Sequence, residues 1–477
     1  MKNNTWRKHH KWFGLLLAFF IILFCFSGFV LNHPTLFSHI NVSRAILPSE
    51  YRYHNWNRGL LRGSLLWKQK VLLYGNNGIW LTDSTATAFH NFNRGFPSGT
   101  EHRNIRSIVN TDKEQLFAAG QYGLYAYTDS LYWTEIKLPK EQEERLTDLV
   151  FHSDTLLLLS RSYLYLGTPP YTQFQKISLG VPDDYDGKVS LFRTIWLLHS
   201  GELFGLIGKI IVDLIAFVLF VLAITGVLYW FVPKVWKQSP RLLSKLYAWH
   251  NFIGKWTIVC TLFLCITGWF LRPPALIAIA SGKIPPLPFS TMDSQNPWHD
   301  KLRTLRYDAL YNDWLLYTSN GFYTLANLSA TPRALKVLQP PVSVMGINVQ
   351  TQTSNGDWII GSFSGIFIWE RAYGSVRDYF TRQPAVITRG IPIGEHAIVG
   401  YSADLAGQPL VVDYNMGTDK LRMPQEMSNL PISLRNVALE VHTGRIFTFL
   451  ANGTIFFIFF MGIAIAWTIW SGWKRRT

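Results

Sequence analysis

Four histidines stand at duplicated positions in the chain. His10-Lys11-Trp12-Phe13-Gly14 opens an apolar run that closes with Ser27-Gly28, and His250-Asn251-Phe252-Ile253-Gly254 opens another that closes with Thr267-Gly268. In both copies the glycines follow the histidine by four and by eighteen residues. Eighteen residues make five helical turns, so histidine and glycines share one helix face. A second pair is also written twice. Ser190-Leu191 stands nine residues before His199-Ser200-Gly201, and Ser433-Leu434 stands nine before His442-Thr443-Gly444. Each then enters an apolar run, ending at Thr225-Gly226 or, three residues later, at Ser471-Gly472. Two neutral imidazoles facing each other from neighbouring helices are what six-coordinate haem iron requires, and nearby glycines would let the porphyrin approach the backbone. Histidine at a membrane boundary can instead be simply interfacial, and zinc is a further alternative, although no Cys/His cluster has zinc-site spacing.

The elements that must carry these residues are membrane helices. The 477 residues are 48% hydrophobic and 15% aromatic, and the apolar residues concentrate near 12–31, 206–232, 252–271 and 446–470. Each stretch is about the 20 residues needed to cross a bilayer. The order expected is a first span over 1–31, a segment over 32–198, a second span over 199–232, a basic loop over 233–249, a third span over 250–272, a second large segment over 273–441, and a fourth span with a basic tail over 442–477. The fold class is thus a four-helix membrane protein of two pseudo-symmetric halves, with a β-rich, propeller-like domain outside the membrane. Gene duplication accounts for the halves.

The net charge of +15 is placed rather than spread. Lys2, Arg7, Lys8 and Lys11 precede the first span, Lys234, Lys237, Arg241 and Lys245 fill the loop, and Lys474, Arg475 and Arg476 end the chain. In a four-span topology all three clusters fall on one side, which the positive-inside rule makes cytoplasmic, with both termini there. No basic-aromatic pattern points to nucleic acid. The first span reads as a retained signal-anchor, because no small-residue cleavage site follows it. On this topology His10 and His250 share the cytoplasmic side, and His199 and His442 the other.

Both large segments alternate apolar residues in strand fashion, punctuated by Gly, Asn and Asp. One unit recurs, an apolar strand, a Gly-bearing turn and an aromatic strand. Examples are Val71-Leu72-Leu73-Tyr74 with Gly78-Ile79-Trp80, Gln115-Leu116-Phe117-Ala118 with Gly123-Leu124-Tyr125, and Trp314-Leu315-Leu316-Tyr317 with Gly321-Phe322-Tyr323. A further copy runs from Trp358 to Phe367, a weaker one from Leu156 to Tyr165, and the last falls near Pro409-Leu410-Val411-Val412. The spacing of roughly 40–45 residues is that of four-stranded propeller blades. One composite propeller or two separate β-rich domains would both satisfy it.

Other polar residues near the spans are candidates of a second kind. His33 follows the first span and Arg272 the third, positions where a haem propionate or anionic substrate could be met, or where a helix simply ends. Lys209 and Asp213 are four apart on the second span. Asp213 could relay a proton or neutralise Lys209. Cys25, Cys260 and Cys265 lie inside spans and form no disulfide framework. There is no GxGxxG or Walker motif for a nucleotide, and no Ser/His/Asp or HExxH arrangement for hydrolysis. Electrons entering from the cytoplasm would need an external donor or a membrane quinol.

At Arg7-Lys8-His9-His10-Lys11-Trp12-Phe13-Gly14, Leu198-His199-Ser200-Gly201-Glu202-Leu203-Phe204-Gly205, Trp249-His250-Asn251-Phe252-Ile253-Gly254 and Val441-His442-Thr443-Gly444-Arg445-Ile446-Phe447 the chain resembles the PepSY-associated transmembrane family of bacterial inner-membrane proteins. One branch of that family resembles ferric-siderophore reductases carrying two b-type haems. The resemblance implies His10, His199, His250 and His442 as haem ligands, a ferric siderophore or similar chelate as substrate, and a role in iron acquisition. It covers the spans, and no PepSY domain is evident in the propeller-like segments. The alternative is a sensor or scaffold whose ectodomain binds a ligand or partner protein while the spans anchor it.

Overall fold

A 30-residue helix, α1 (Asn3–Asn32), opens the chain and stops where Pro34 denies the next turn its amide donor. The computed structural model describes residues 3–128, 130–141, 143–235, 240–343, 345–386 and 396–474. Lys2, Lys237, Arg475 and Arg476 of the basic clusters lie outside them. The chain divides into a helical unit, formed by the residues up to Phe37 with Gly187–Ser294 and those from Leu434 on, and a β unit, Ser38–Asp186 with Gln295–Ser433.

In the helical unit the one-turn α2 (Pro34–Phe37) follows α1. Next come α3 (Leu191–Ser200) and α4 (Gly205–Val235), then α5 (Pro240–Trp256) and α6 (Ile258–Trp269), then the short α7 (Ala275–Ile279). The last two are α8 (Leu434–His442) and α9 (Thr454–Lys474). Residues Asn4–Asn32, Glu202–Val235 and Phe456–Lys474 are long and apolar enough to cross a membrane, and α5 with α6 passes only as a pair bent by 66°. Among the described residues the count is therefore three spans, or four if the bent pair is one. Apolar side chains stay on the outside of these helices, with Leu206 71% and Phe217 62% exposed on α4, as suits helices solvated by lipid.

Three expectations are corrected here. The second and fourth spans do not begin at His199 and His442. Each histidine instead ends or nearly ends a separate short helix, α3 or α8, and Gly201 (φ 80°) and Gly444 (φ 75°) turn the chain in the left-handed conformation before the long helix starts. Ser190 begins α3 by accepting a hydrogen bond from Arg193 N. The third span, expected unbroken over 250–272, bends at Thr257, whose hydroxyl donates to Ile253 O at 2.8 Å. The segment 233–249 is mostly helical, since α4 runs to Val235 and α5 starts at Pro240, a residue suited to the first turn of a helix.

The β unit is a ring of six antiparallel sheets, three from residues 63–177 and three from 302–413. Five are four-stranded, and the sixth, around Leu410, has two strands among the described residues. The recurrent unit of the sequence is the middle hairpin of each sheet, such as Lys70–Gly75 with Gly78–Thr82. Leading strands touch in turn around the ring. Arg62 donates to Ile105 O (2.9 Å), Ser107 to Leu149 O (3.0 Å), and Leu305 N to the Asp148 carboxylate (2.9 Å). Arg306 then donates to Gln350 O (3.1 Å), Asn348 to Ile398 O (2.9 Å), and Tyr401 N back to Arg62 O (3.0 Å). Leucine, aromatic and β-branched side chains such as Leu157, Leu316, Trp358 and Ile360 fill the spaces between sheets.

One buried charge network holds the fourth and fifth sheets together. Asp308, fully buried, accepts from Arg371 (2.7 Å), Trp358 Nε1 (3.0 Å), Gln352 (3.0 Å) and Leu310 N (3.1 Å). Asp308→Ala is expected to destabilise the protein by about 3–5 kcal/mol, because Arg371 would keep a buried charge with one carboxylate, Asp313, left to meet it. Chemical denaturation of the purified protein followed by tryptophan fluorescence measures it.

Candidate functional site

The four repeated histidines meet in two pairs within the helical unit. The rings of His10 and His250 are 5.9 Å apart between centroids, and those of His199 and His442 are 6.0 Å apart. With an imidazole nitrogen about 2.0–2.1 Å from a bound transition metal and the ring centre roughly 1.2 Å further back, two rings facing across one ion stand about 6.4 Å apart. Both separations are close to that figure.

Each ring is anchored through Nδ1 by a different helix. His442 Nδ1 lies 3.0 Å from Ser27 Oγ of α1, His250 Nδ1 3.0 Å from Thr225 Oγ1 of α4, and His199 Nδ1 3.1 Å from Thr267 Oγ1 of α6. His10 Nδ1 lies 2.8 Å from the backbone oxygen of Thr468 on α9. A carbonyl only accepts, so His10 carries its proton on Nδ1. The three hydroxyls lead to the same answer. Ser27 donates to Leu23 O (2.7 Å), Thr225 to Val221 O (2.7 Å) and Thr267 to Phe263 O (3.0 Å). Their single protons are spent on their own helices, so each oxygen accepts from the imidazole. All four neutral rings are thereby held as the Nδ1–H tautomer with the lone pair on Nε2, the state of a histidine that ligates a metal while its other nitrogen donates.

A glycine beside each anchor brings its helix close to the imidazole. A Cβ on Gly268 would come within 2.7 Å of His199 Cε1, and one on Gly472 within 2.8 Å of His10 Cε1. Gly28 and Gly226 are looser, at 3.4 Å from His442 and 3.5 Å from His250. The eighteen-residue spacing thus does not build one site per helix face. His10 and Gly28 belong to different pairs, some 27 Å apart at 1.5 Å per residue. The offset at Ser471-Gly472 also finds its reason. Thr468 follows His442 by 26 residues just as Thr225 follows His199, and its backbone oxygen supplies the anchor, one turn before the glycine. Thr468 escaped the sequence reading, and equal spacing from the preceding histidine is the signal that would have found it.

The remaining candidates separate. Arg272 donates to Thr443 O (3.1 Å), next to His442, and its Nε is buried without a partner among the described residues, as is that of Arg445. Arg445 also pairs with Glu440 at 2.6 Å. Two buried guanidinium donors beside the His199/His442 pair suit an anionic group such as a carboxylate. His33 is not with them. Its Nε2 sits 2.8 Å from Asp213 Oδ2, and Asn32 donates to the other carboxylate oxygen at 3.4 Å. Lys209 lies 3.9 Å from Glu202. Among the described residues no three His, Cys, Asp or Glu converge as a metal centre.

Arg272 and Arg445 stand at the His199/His442 end, and a separate basic group stands at the other. Arg7, Lys8 and Lys11 flank His10, Lys474 follows Gly472, and Lys234 follows Gly226, so these side chains collect at the His10/His250 end.

The family described as the PepSY-associated TM region matches residues 1–231 and 163–475. A comparison with curated proteins finds no match. Among solved structures, the chain is similar to a protein of unknown function from Bacteroides thetaiotaomicron VPI-5482, with 11% identity over 77% of this chain and 72% of that one and a TM-score of 0.39. It is also similar to YCF48 from Cyanidioschyzon merolae, with 11% identity, 78% and 87% coverage and a TM-score of 0.33. A third likeness is to the extracellular domain of a putative hybrid two-component system from B. thetaiotaomicron, with 8% identity, 78% and 36% coverage and a TM-score of 0.34. With residues 1–475 and all four histidine motifs inside the matched ranges, the chain belongs to the family of the PepSY-associated TM region.

Proposed function

We propose that the chain is an electron-transfer protein of a bacterial inner membrane that holds two haem b groups, one on His10 and His250 and one on His199 and His442, and reduces a ferric siderophore or similar chelate in the periplasm. The observation that carries this reading is the set of four Nδ1–H anchors, which leaves the Nε2 lone pair of every ring uncommitted in two close imidazole pairs at opposite ends of one helical unit. Bound haem would supply a one-electron iron couple at each pair. The collection of Arg7, Lys8, Lys11, Lys234 and Lys474 at the His10/His250 end supports a cytoplasmic side there, with both termini on it. The reading takes the helical unit as four spans in two duplicated halves, with the bent pair of α5 and α6 as the counterpart of α1.

The chain's own groups have distinct tasks. Ser27, Thr225, Thr267 and the Thr468 carbonyl orient the imidazoles. Arg272 and Arg445 receive a propionate or a carboxylate of the chelate. Asp213 and His33 form a proton-carrying pair beside the His199 helix. With a quinol as donor the balance closes as one quinol and two ferric chelates giving one quinone, two ferrous products and two protons. An external one-electron donor would reduce one chelate at a time.

Visible spectroscopy of the purified full-length protein, with haem quantified per chain, tests the reading. Two b-type haems and oxidation of the reduced protein by a ferric chelate are expected. A colourless, fully folded protein would overturn it and leave the membrane-anchored ligand-binding alternative. Thr267→Val keeps the shape but removes the acceptor for His199, and is expected to weaken haem retention at that pair by about 10–100-fold. Timed transfer of haem to an excess of apomyoglobin reads that loss.

A further inference from the structure

The leading strands of the β unit share a device unrelated to the histidine pairs. In five of the six sheets the register breaks one residue into that strand, between Ile105 and Ser107, Leu146 and Asp148, Leu302 and Thr304, Ile347 and Val349, and Ile398 and Gly400. Arg106, Thr147, Arg303, Asn348 and Val399 are the extra residues, and a bulge is where a strand re-aims a side chain. Arg106 is exposed to water although protein surrounds it. Arg62 and Arg145 stand just before the leading strands of their sheets, and Arg161 follows the second strand of the third sheet.

The protein packed around it, and then the charges of Arg62, Arg145 and Arg161, push the Arg106 pKa well below that of an ordinary guanidinium. Burial likewise lowers that of Arg62 to about 10. The acceptor that meets Arg106 is a neutral amide, Gln121 Oε1 at 3.4 Å, and that oxygen is already taken at 3.0 Å by Asn104. Arg62 is met by Asn104 Oδ1 and the Ile105 carbonyl. Arg161 has the Asp300 carboxylate at 2.9 Å. Arginines that serve only the fold are treated differently in this same ring, Arg371 lying between Asp308 and Asp313 and Arg306 on Asp148. Arg62, Asn104, Gln121 and Arg106 are linked in series by side-chain hydrogen bonds, and Arg161 N bonds Arg145 O at 3.1 Å; guanidiniums so placed repel one another, and the arrangement is what a multivalent anion would satisfy.

We propose that the arginines at the inner strands of the propeller, Arg62, Arg106, Arg145 and Arg161, form a binding site for a small ligand carrying two or more oxyanion groups. Carboxylates and phosphates share the planar or tripodal oxygens that guanidinium forks bind in pairs. The site belongs to the β unit and the histidine pairs to the helical unit, and it does not depend on haem.

Isothermal titration of the full-length protein in detergent at low ionic strength, with citrate and with pyrophosphate, tests it. Saturable binding of one or both is expected, with acetate much weaker. A preference for citrate would assign a polycarboxylate ligand and a preference for pyrophosphate a phosphorylated one. Arg106→Gln and Arg145→Gln are each expected to weaken binding by about tenfold or more, while Lys113→Gln on an exposed turn leaves it unchanged. Arg145 is exposed, so its variant tests the site even if Arg106→Gln fails to fold. Absence of binding by both anions, or equal binding by wild type and Arg145→Gln, would overturn the proposal. Haem content measured on the same samples separates this failure from failure of the electron-transfer reading.

Discussion

Replacing His199 or His442 with alanine is expected to remove half of the haem bound per chain and to leave the other half in place. His10→Ala or His250→Ala should remove the complementary half. The prediction rests on distance. His10 and Ser27 are both on α1, one in each pair, and 17 residues of helix separate them by about 26 Å. Loss of one imidazole leaves its partner with a single axial position to offer, so the double variant His199→Ala/His442→Ala should lose no more than either single variant. The cross-pair double His10→Ala/His199→Ala should lose everything. Haem per chain and the shape of the reduced spectrum read both effects. A folded His199→Ala protein that keeps both haems would remove His199 from the ligands. Loss of both haems from one substitution in a folded protein would show that the pairs are not independent sites.

The same pairs mark what a sequence can disclose. The motifs at His10, His199, His250 and His442 were legible because duplication repeats a histidine and its glycine at fixed spacing. The partner of each imidazole was not, because it depends on which helices pack together. Gly28 shares a face with His10 yet serves His442. The caps at Ser190 and Gly201 were visible as letters, but the adjoining apolar run hid the short helix they bracket. The bend at Thr257 follows Gly254-Lys255, whose letters alone do not distinguish a bend from a span that continues. Asp213 was read against Lys209 from their four-residue spacing, whereas its contact is with His33, just past the end of α1 and 180 residues away in sequence. In the β unit the hairpins were plain from their aromatic and glycine pattern. The arginines were in plain view too, since Arg62, Arg106 and Arg145 recur at blade spacing, but their convergence requires the ring to close.

Gly268→Ala is expected to be nearly as damaging to the His199/His442 pair as loss of a ligand. A methyl there would sit 2.7 Å from His199 Cε1 and 3.3 Å from both ring nitrogens. The ring cannot simply swing away, because Thr267 on the preceding residue holds Nδ1. Restoring ordinary contact requires a shift of the order of half an ångström or more, enough to spoil a ligand geometry. Gly472→Ala should do the same to His10, where the added carbon would lie 2.8 Å from both Cε1 and Nδ1. Gly28→Ala and Gly226→Ala offer the control. Their added carbons would meet His442 and His250 at 3.4 and 3.5 Å, close to normal van der Waals contact, and each should retain haem. The four variants make the same chemical change beside an imidazole, and helix propensity, which favours alanine over glycine by up to about 1 kcal/mol, works against damage in every one of them. Each pair therefore has one tight cradle and one loose one. Haem retention should follow the distances, with Gly268→Ala and Gly472→Ala each losing about tenfold or more in affinity at a single pair. Equal retention in all four would show that the imidazoles are not held where these contacts put them.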